Sequence, residues 1–346
     1  MFLIISTIFY VLLALLLLGV LVTVHEAGHF LVARLCGIQV MEFSIGMGPK
    51  LFSHKGKRGT IYSLRVLPVG GYCKFYGEDE DVDDPRAYNK QAVWKRFLSV
   101  LAGPAMNFFA GFVIILVFVL AIGVYSYYPQ VKEVMPDMPA ARAGVLTGDV
   151  LVGVNGLQVT NLQDISNAIL QSDGAPVTLT VQRGNDYMDI DVTPQAGEEP
   201  GTYAIGILYG SERLTFLESV RFSADWCISI VQGVWDALIG LVTRGEGADE
   251  IAGPVGTIDV IQQQTRVGGL DAYIQLAALI SLNLGLMNLL PIPALDGSRL
   301  IFFLIEAVRR KPVNPNVEGA IHMAGFALLM LVVVVFTYQD ILRIFT

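Results

Sequence analysis

Residues 8–29 read IFYVLLALLLLGVLVTVHEAGH, and this stretch decides the fold. The first 24 residues contain no Asp, Glu, Lys or Arg, a length sufficient for a transmembrane helix. His25 and His29 stand four residues apart and therefore share one helix face, which is the spacing that a zinc ion needs. Glu26 lies one residue further round, within reach of a water on that ion. Because ionisable groups inside a membrane are costly, the pattern predicts a metalloprotease-type site at one end of the helix.

The alternative is a polar cluster that only joins helices through hydrogen bonds. An HExxH pattern fixes three positions and can arise by chance on a surface helix of a soluble protein. Residues 8–24 are too apolar for a surface helix. The metal site is therefore the favoured interpretation.

The composition is that of a membrane protein. Apolar residues make up 53% of the 346 residues, charged residues only 16%, and the mean hydropathy is +0.57, whereas soluble chains carry about 25% charged residues. The net charge of −8 gives no support to nucleic-acid binding. Cys36, Cys73 and Cys227 form no CxxC pair and predict neither a disulfide framework nor a thiolate metal site. The N-terminal span lacks the basic segment and cleavage site of a signal peptide.

Three further stretches lack charged residues, 97–131, 272–295 and 319–339, which with the N-terminal helix predicts four transmembrane spans. Another apolar run, 225–242, contains two aspartates and two tryptophans. This mixture is typical of an amphipathic helix lying in the membrane interface, so we do not count it as a span.

The basic residues predict the orientation of the chain. Residues 34–97 carry eleven Lys/Arg and residues 299–318 carry four, whereas 124–271 carries seven Lys/Arg against nineteen Asp/Glu. Lys and Arg concentrate in cytoplasmic loops. We therefore expect both basic loops in the cytoplasm, the acidic segment and both termini outside, and His25 toward the cytoplasmic face.

A catalytic zinc usually takes three protein ligands, so a third ligand must come from elsewhere in the chain. Asp296 is the best candidate, because it lies in NLLPIPALDG at 288–297, where two prolines break a helix at membrane depth. Such irregular backbone is tolerated only where it is buried in protein or lines a polar cavity. His54 and His322 are the remaining histidines. The alternative role for Asp296 is to cap the helix predicted at 298–308.

Together these motifs resemble the site-2 protease family of intramembrane zinc metalloproteases, and within it the bacterial RseP type. HExxH in the first span and NLLPIPALDG in the third carry the resemblance, which covers nearly the whole chain. Additional matching motifs are FSIGMGP at 43–49, YSLR at 62–65, PVGGY at 68–72, AGPAMN at 102–107 and GPVG at 253–256. One departure is Ser298-Arg299, where this group often has Gly-His.

The resemblance implies one Zn²⁺ per chain, held by His25, His29 and Asp296, with Glu26 as the general base. It also implies that Asn288 contacts the substrate backbone. The alternative for Asn288 is a hydrogen bond between helices.

Residues 43–53 and 60–67 are predicted to form a membrane-associated β hairpin that dips toward the site. Peptide bonds in a transmembrane helix are shielded, so a substrate must be unwound and held extended, which a strand edge does by β-augmentation. Gly46 and Gly48 are the predicted substrate-binding positions in this hairpin. The alternative is an ordinary cytoplasmic hairpin.

The acidic segment contains a predicted α+β module at 125–210. Residues 140–149 and 154–156, AARAGVLTGD and VNG, resemble a PDZ domain of the bacterial protease type, and we expect one such domain. Its predicted elements are strands at 130–134, 149–155, 177–183 and 188–192, and a helix at 162–171. Its peptide groove is assigned to Tyr203, Ile205, Gly206 and Ile207, which resemble the carboxylate-binding strand, placed last as in a circular permutation. Peptide binding and exclusion of bulky substrates both stay open.

The predicted fold class is a polytopic α-helical membrane protein of about four transmembrane helices, with a membrane-associated β hairpin and an inserted extracytoplasmic PDZ domain. The predicted parts are an N-terminal membrane half, the PDZ domain, an interfacial segment and a C-terminal membrane half, at 1–124, 125–210, 211–270 and 271–346.

The resemblance implies a bacterial cytoplasmic (inner) membrane protein that cleaves single-span membrane proteins after an upstream protease has trimmed their ectodomains. Anti-sigma factors and signal-peptide remnants are the substrate classes of the family. One alternative is a catalytically silent membrane PDZ adaptor, against which the intact HExxH and Asp296 argue. Another is a metal transporter, which would need ionisable residues spread through several spans.

Overall fold

The computed structural model describes residues 2–78, 80, 82–123, 129–159, 162–197, 202–209, 214–245, 247 and 252–345. The chain divides into two compact units. The membrane unit comprises Met1–Ile115 and Ser223–Thr346, and the inserted unit comprises Leu116–Phe222.

Long apolar helices dominate the membrane unit. Within the described residues, five helices are long and apolar enough to cross a membrane. They are α1 (Phe2–Leu35), α2 (Val93–Ile122), α5 (Phe216–Arg244), α6 (Pro254–Leu289) and α8 (Pro315–Phe345). Among the described residues, this unit also contains a shorter helix, α7 (Asp296–Arg309), and a 3₁₀ turn, Tyr88–Lys90.

The four predicted spans correspond to α1, α2, α6 and α8, but the number four is not confirmed. Helix α5, predicted to lie in the membrane interface, is 29 residues long, with a mean hydropathy of 1.5 in its most apolar window. By length and composition it also qualifies as a span. Asp225 and Asp236, on which the interfacial prediction depended, are both exposed on this helix.

Helix α6 is kinked, and the predicted third span is its second part. Gly269 has φ 63° and ψ −145°, values outside the helical region, which only glycine adopts readily. Beyond Leu289 the helix stops, and the two prolines of PIPALD lead into α7.

A buried carboxylate joins the start of α6 to α8. Asp340 is 3% exposed. Its two oxygens accept hydrogen bonds from the backbone N–H of Gly253, at 3.1 Å, and of Gly256, at 2.7 Å. These N–H groups belong to the first turn of α6, which has no partners for them within the helix. A Cβ at either glycine would lie 2.6 Å from an Asp340 oxygen, which explains the glycines of the GPVG motif.

The sheet of the membrane unit is a long antiparallel hairpin of β1 (Val40–Lys55) and β2 (Ile61–Phe75). Both strands are longer than the predicted 43–53 and 60–67. Gly46, with φ 81°, and Gly70, with φ 83°, bend the strands without ending them. As a result Ser44 pairs with two positions of β2, Ser63 and Tyr72.

A charged cluster stabilises this bent hairpin. Glu42 accepts hydrogen bonds from Ser63 Oγ at 2.6 Å and Arg65 Nη2 at 2.9 Å, and Lys50 Nζ lies 3.0 Å from it. Burial alone would raise the pKa of Glu42, but these hydrogen bonds lower it to about 2. The cluster therefore joins residues of β1 from both sides of the Gly46 bend to β2.

A hydrophobic cluster fastens the hairpin to the helices near the HExxH motif. Its buried members come from α1, both strands, the 3₁₀ turn, α2 and α7: Ala33, Ile38, Val40, Phe75, Tyr88, Val100, Leu300 and Phe303. The rings of Phe75 and Tyr88 stack with centroids 5.0 Å apart. Residues from distant parts of the chain are thus fixed around the end of α1 that carries HExxH.

The inserted unit has a core of its own. A four-stranded sheet runs in the order β5-β4-β6-β7, and two smaller pairs, β3 with β10 and β8 with β9, flank it. The strands are β3 (Val131–Val134), β4 (Val150–Val154), β5 (Leu157–Gln158), β6 (Val177–Arg183), β7 (Asp186–Val192), β8 (Gln195–Ala196), β9 (Tyr203–Ala204) and β10 (Ile207–Tyr209), with helices α3 (Pro139–Ala143) and α4 (Leu162–Gln171). Leu151, Ile165, Leu179 and Val181 lie in the centre of this core, each at most 1% exposed.

Most predicted elements of this unit are present. The bounds of β6 and α4 are those predicted, and β3, β4 and β7 differ by at most two residues at either end. The prediction of one continuous strand through Tyr203–Ile207 is wrong. The chain turns at Gly206, with φ 80°, so that β9 and β10 pair with different strands.

Asp149 is the buried charge of the inserted unit. Its side chain is 1% exposed, and Arg183 Nε donates to it at 2.7 Å. The Leu146 N–H donates to the second carboxylate oxygen at 2.9 Å. The Arg183 hydrogen bond, followed by that of Leu146, lowers the pKa of Asp149 despite burial.

Candidate metal centre

Three predicted ligands from two distant parts of the chain converge at one point. His25 Nε2 lies 3.1 Å from Asp296 Oδ2, and His29 Nε2 lies 3.3 Å from the same oxygen. The two Nε2 atoms are 3.1 Å apart. Helix α1 presents both imidazoles on one face, and Asp296 is the first residue of α7. Within the described ranges, this is the group of His, Cys, Asp and Glu side chains arranged to hold a metal ion.

The geometry fits a tetrahedral zinc ion. Ligands at about 2.0–2.2 Å from the metal are about 3.3–3.5 Å apart in a tetrahedron, close to the three separations observed here. Asp296 Oδ2 is buried and has no hydrogen-bond partner. Three lone pairs facing one another in a buried site repel unless a cation lies between them.

Helix α2 fixes the orientation of His29. Its Nδ1 lies 2.8 Å from the carbonyl oxygen of Ser99. A carbonyl only accepts, so Nδ1 carries the hydrogen, and Nε2 keeps its lone pair toward Asp296.

Asn107, also on α2, orients His25. Its amide nitrogen lies 3.1 Å from His25 Nδ1. Asn107 is fully buried, and its Oδ1 has no partner. Rotating the amide by half a turn places Oδ1 against Nδ1–H of His25 and satisfies both groups. Nε2 of His25 then also presents a lone pair to the metal. Ser281 Oγ donates to the Asn107 carbonyl at 2.8 Å and holds this part of α2 against α6.

Two glycines allow α1 and α2 to approach closely at the site. A Cβ at Gly28 would lie 2.2 Å from the Ala102 carbonyl oxygen. A Cβ at Gly103 would lie 2.3 Å from His29 Nε2 and 2.9 Å from His25 Cε1. Gly103 therefore leaves the space that the imidazoles occupy.

Glu26 lies between the metal site and the sheet. A Cβ at Gly71 of β2 would lie 3.5 Å from Glu26 Cγ. Glu26, the predicted general base, thus lies beside Gly71, in the part of β2 that extends beyond the predicted segment 60–67.

The alternatives considered for the third ligand are wrong. Leu295, not Asp296, is the N-cap of α7, and no side-chain hydrogen bond caps the helix. His322 Nδ1 accepts a hydrogen bond from the Ala294 N–H at 3.2 Å and lies outside the metal group. His54 pairs with Tyr62 in the hairpin.

The residues predicted to contact substrate have partners within their own helix or hairpin. Asn288 Nδ2 donates to the Leu284 carbonyl of its own helix at 2.9 Å, so the structure gives no hydrogen bond between helices for it. Gly46 and Gly48 flank Met47, which pairs with Leu67 in the bend of the hairpin.

The residues predicted to line the peptide groove have different environments. Ile205 is buried in the core of the inserted unit, and Ile207 pairs with Val134. Tyr203 OH donates to Asp173 Oδ1 at 2.7 Å. A Cβ at Gly206 would lie 2.2 Å from Met138 Cβ. These four residues therefore do not present the continuous strand on which the groove prediction depended.

An apolar helix that carries two histidines and a glutamate, joined by an aspartate from a second helix, forms a buried site of the kind that membrane-bound metallopeptidases use. Residues 13–332 match Peptidase family M50. The chain belongs to this family, and the site-2 protease family predicted from the motifs is confirmed.

Relatives that match over nearly their whole length support this membership. A putative zinc metalloprotease of Clostridium acetobutylicum is 35% identical, over 96% of this chain and 97% of the relative. One from Clostridium perfringens is 36% identical, over 96% and 98%. The regulator of sigma-W protease RasP of Bacillus subtilis is 31% identical, over 94% and 97%.

Two solved structures match a smaller part. They are the PDZ domains of the SdrC-like proteins of Listeria innocua and Listeria monocytogenes. The first is 27% identical and covers 25% of this chain and 99% of that chain, with a TM-score of 0.22. The second is 26% identical and covers 24% and 85%, with a TM-score of 0.21.

Proposed function

We propose that this protein is a zinc-dependent endopeptidase that cleaves peptide bonds within membrane-spanning segments, with one Zn²⁺ per chain. The observation that carries the proposal is the convergence of His25, His29 and Asp296, with Glu26 and both histidines on a helix apolar enough to cross a membrane. The zinc metalloprotease names of the relatives support the choice of metal.

The chain's own residues supply binding, orientation and proton transfer. When bound, Zn²⁺ acts as a Lewis acid toward water and the peptide carbonyl. Glu26 accepts the proton of the attacking water and returns it to the leaving amine nitrogen. Ser99 and Asn107 keep the imidazoles of His25 and His29 in the orientation and tautomer that ligation requires.

The sheet is the proposed support for the substrate backbone. A substrate strand that adds to the hairpin near Gly71 would exchange main-chain hydrogen bonds with it while remaining tolerant of side-chain identity. This places the bond to be cut next to Glu26. Large apolar side chains such as Leu51, Phe52 and Leu67 are more than half exposed on this hairpin, which supports its predicted association with the membrane.

An apolar cleft is the proposed contact surface for the transmembrane segment of the substrate. It has a volume of about 1100 Å³ and lies between α1, α5, α6 and α8. Among the residues lining it are Leu18, Leu241, Met287 and Phe336. We assign it to the helical part of the substrate, before unwinding.

The proposed substrates are single-span membrane proteins whose ectodomains have been trimmed by another protease. The name of the Bacillus relative, a regulator of sigma-W protease, favours membrane-bound regulators of sigma factors, and signal-peptide remnants are the second class. The proposed location is the bacterial cytoplasmic membrane, with the termini and the inserted unit outside and the metal site toward the cytoplasm. The inserted unit acts as a PDZ domain that binds peptides or excludes bulky ectodomains.

The experiment is cleavage of a tagged single-span protein by the purified full-length chain in detergent, with zinc content measured on the same samples. Glu26→Gln should retain zinc and lose cleavage, because it removes the base and leaves the ligands. Glu133→Gln, an exposed change in the inserted unit, is the matched control and should cleave normally. A wild-type protein that binds the substrate but neither binds zinc nor cleaves the substrate would instead favour the silent PDZ adaptor.

A further inference from the structure

The loop that delivers Asp296 contains a strained residue. Ala294 has φ 78°, a left-handed conformation that a residue with a Cβ rarely adopts. For a non-glycine residue this conformation is disfavoured by roughly fivefold or more in population. Since Ala294 lies two residues before Asp296, relaxation of its backbone would move the aspartate away from His25 and His29.

Two contacts from α8 hold the strained loop. The Ala294 N–H donates to His322 Nδ1 at 3.2 Å. Three residues further along α8, Gly325 is packed so closely that a Cβ there would lie 2.3 Å from Pro293 Cβ and 2.6 Å from the Pro293 carbonyl oxygen. Helix α8 therefore contacts the loop at both residues that precede Leu295.

The remaining contacts of the loop are local. The Leu295 N–H donates to the Ile292 carbonyl at 3.1 Å, and Ser298 Oγ donates to the Leu295 carbonyl at 2.8 Å. Gly297 packs against the carbonyl oxygens that end α6. None of these local contacts engages the Ala294 N–H, so His322 is the restraint that acts directly on the strained peptide.

The environment of His322 suits this role. Because Nδ1 accepts the Ala294 N–H, the ring hydrogen is on Nε2. Nε2 is buried without a hydrogen-bond partner and lies 3.8 Å from Glu318 Oε1. The ring packs edge-on against Phe302 of α7, with centroids 5.7 Å apart. A histidine near the start of an apolar helix is costly unless it has a function, and it lies outside the metal group.

We infer that His322 is a positioning residue: by binding the Ala294 N–H it stabilises the left-handed loop conformation that presents Asp296 to the metal. The inference rests on the proposed zinc site. It predicts that His322 and Ala294 act as one unit. Removing the acceptor should weaken zinc binding, and removing the strain should make the acceptor dispensable.

Three substitutions separate these effects. His322→Leu removes the acceptor at similar volume. His322→Asn keeps an acceptor, because the Asn side-chain oxygen occupies about the position of Nδ1. Ala294→Gly adopts the left-handed conformation without strain. The measurement is the zinc dissociation constant of the full-length protein in detergent, obtained by competition with a chelating dye after metal removal, alongside cleavage rates.

We expect His322→Leu to weaken zinc binding about five- to tenfold, the worth of one backbone hydrogen bond. His322→Asn should remain within about twofold of wild type, and so should the double variant His322→Leu with Ala294→Gly. Unchanged zinc binding in His322→Leu, or an equal loss in the double variant, would overturn the inference.

A further variant covers the case in which His322→Leu does not fold. Ala294→Val leaves His322 in place but makes the left-handed conformation more costly, because valine is β-branched. It should weaken zinc binding at least as much as His322→Leu, and wild-type affinity would contradict the inference. Failure of the wild-type protein itself to bind zinc would instead reject the proposed function, so the two failures are distinguishable.

Discussion

Gly103→Ala should abolish zinc binding by filling the space of the ligands. The added methyl group would lie 2.3 Å from His29 Nε2, 2.4 Å from His29 Cε1 and 2.9 Å from His25 Cε1. Favourable contacts between such atoms occur at about 3.5–4.0 Å. Either α1 and α2 separate by about 1 Å, or both imidazoles rotate away from Asp296.

Both outcomes are incompatible with the metal site. Ligand distances tolerate displacements of only about 0.2 Å, and overpacking costs about 1–3 kcal/mol in addition. We therefore expect zinc affinity to fall by at least about 100-fold, beyond the 10- to 100-fold typical of losing an outer-shell partner. Cleavage should fall with it.

The assay compares zinc content and substrate cleavage of purified wild type, Gly103→Ala and a matched control. Gly233→Ala is that control, since a Cβ at this helical position of α5 meets no atom within 4 Å. Size-exclusion profiles establish that the proteins remain folded. A Gly103→Ala protein with full zinc content and normal cleavage would refute the assignment of the site.

Three other predictions concern Asn107, Asp149 and the topology of the chain. Asn107→Ala should lower zinc affinity about 10- to 100-fold, because His25 loses the partner that fixes its ring; unchanged affinity by chelator competition would contradict this role. Asp149→Asn should lower the free energy of unfolding of the inserted unit by about 1–3 kcal/mol, measured by pulse proteolysis of the full-length protein. Because Arg183 depresses the pKa of Asp149, the wild-type contribution is complete above the unfolded pKa of about 3.9 and is lost as pH falls through the lower folded value; the variant should lack this acid-dependent loss. The topology is tested with Asn185→Cys in a chain whose Cys36 and Cys227 are changed to Ser and whose Cys73 is kept. The introduced cysteine should react with an impermeant thiol reagent in intact cells, while Cys73 stays protected until lysis. The reverse labelling would invert the proposed topology.

The sequence predicts those parts of the fold that depend on local pattern. Helix α4 and strand β6 have the predicted bounds because their apolar residues follow the helical and strand periods. The approach of Asp296 to His25 and His29 was predictable because prolines at membrane depth imply a polar cavity and because a catalytic zinc needs a third ligand. Helix α5 was ambiguous, since two aspartates within an apolar run suit either an interface or a protein-facing span.

The remaining features depend on which elements become neighbours. Gly103 and Asn107 of the AGPAMN motif lie four residues apart, so the sequence alone indicates that they share one face of α2. Their partners, His25 and His29, become apparent only when α1 packs against α2. The turn at Gly206 follows from burial of Ile205 in the core, which overrides the strand pattern of Tyr203–Ile207. The length of the hairpin was underestimated because glycines that usually end strands here only bend them.

The Asp340 carboxylate has a consequence for biosynthesis. It is synthesised 84 residues after Gly256, so the first turn of α6 lacks this hydrogen-bond acceptor while α6 and α7 emerge from the ribosome. His322 and its contact with Ala294 arrive in the same late helix. The start of α6 and the loop at Ala294 can therefore receive their α8 contacts only after HExxH and Asp296 have both been synthesised. These contacts are the last ones of this part of the fold to form in the order of synthesis.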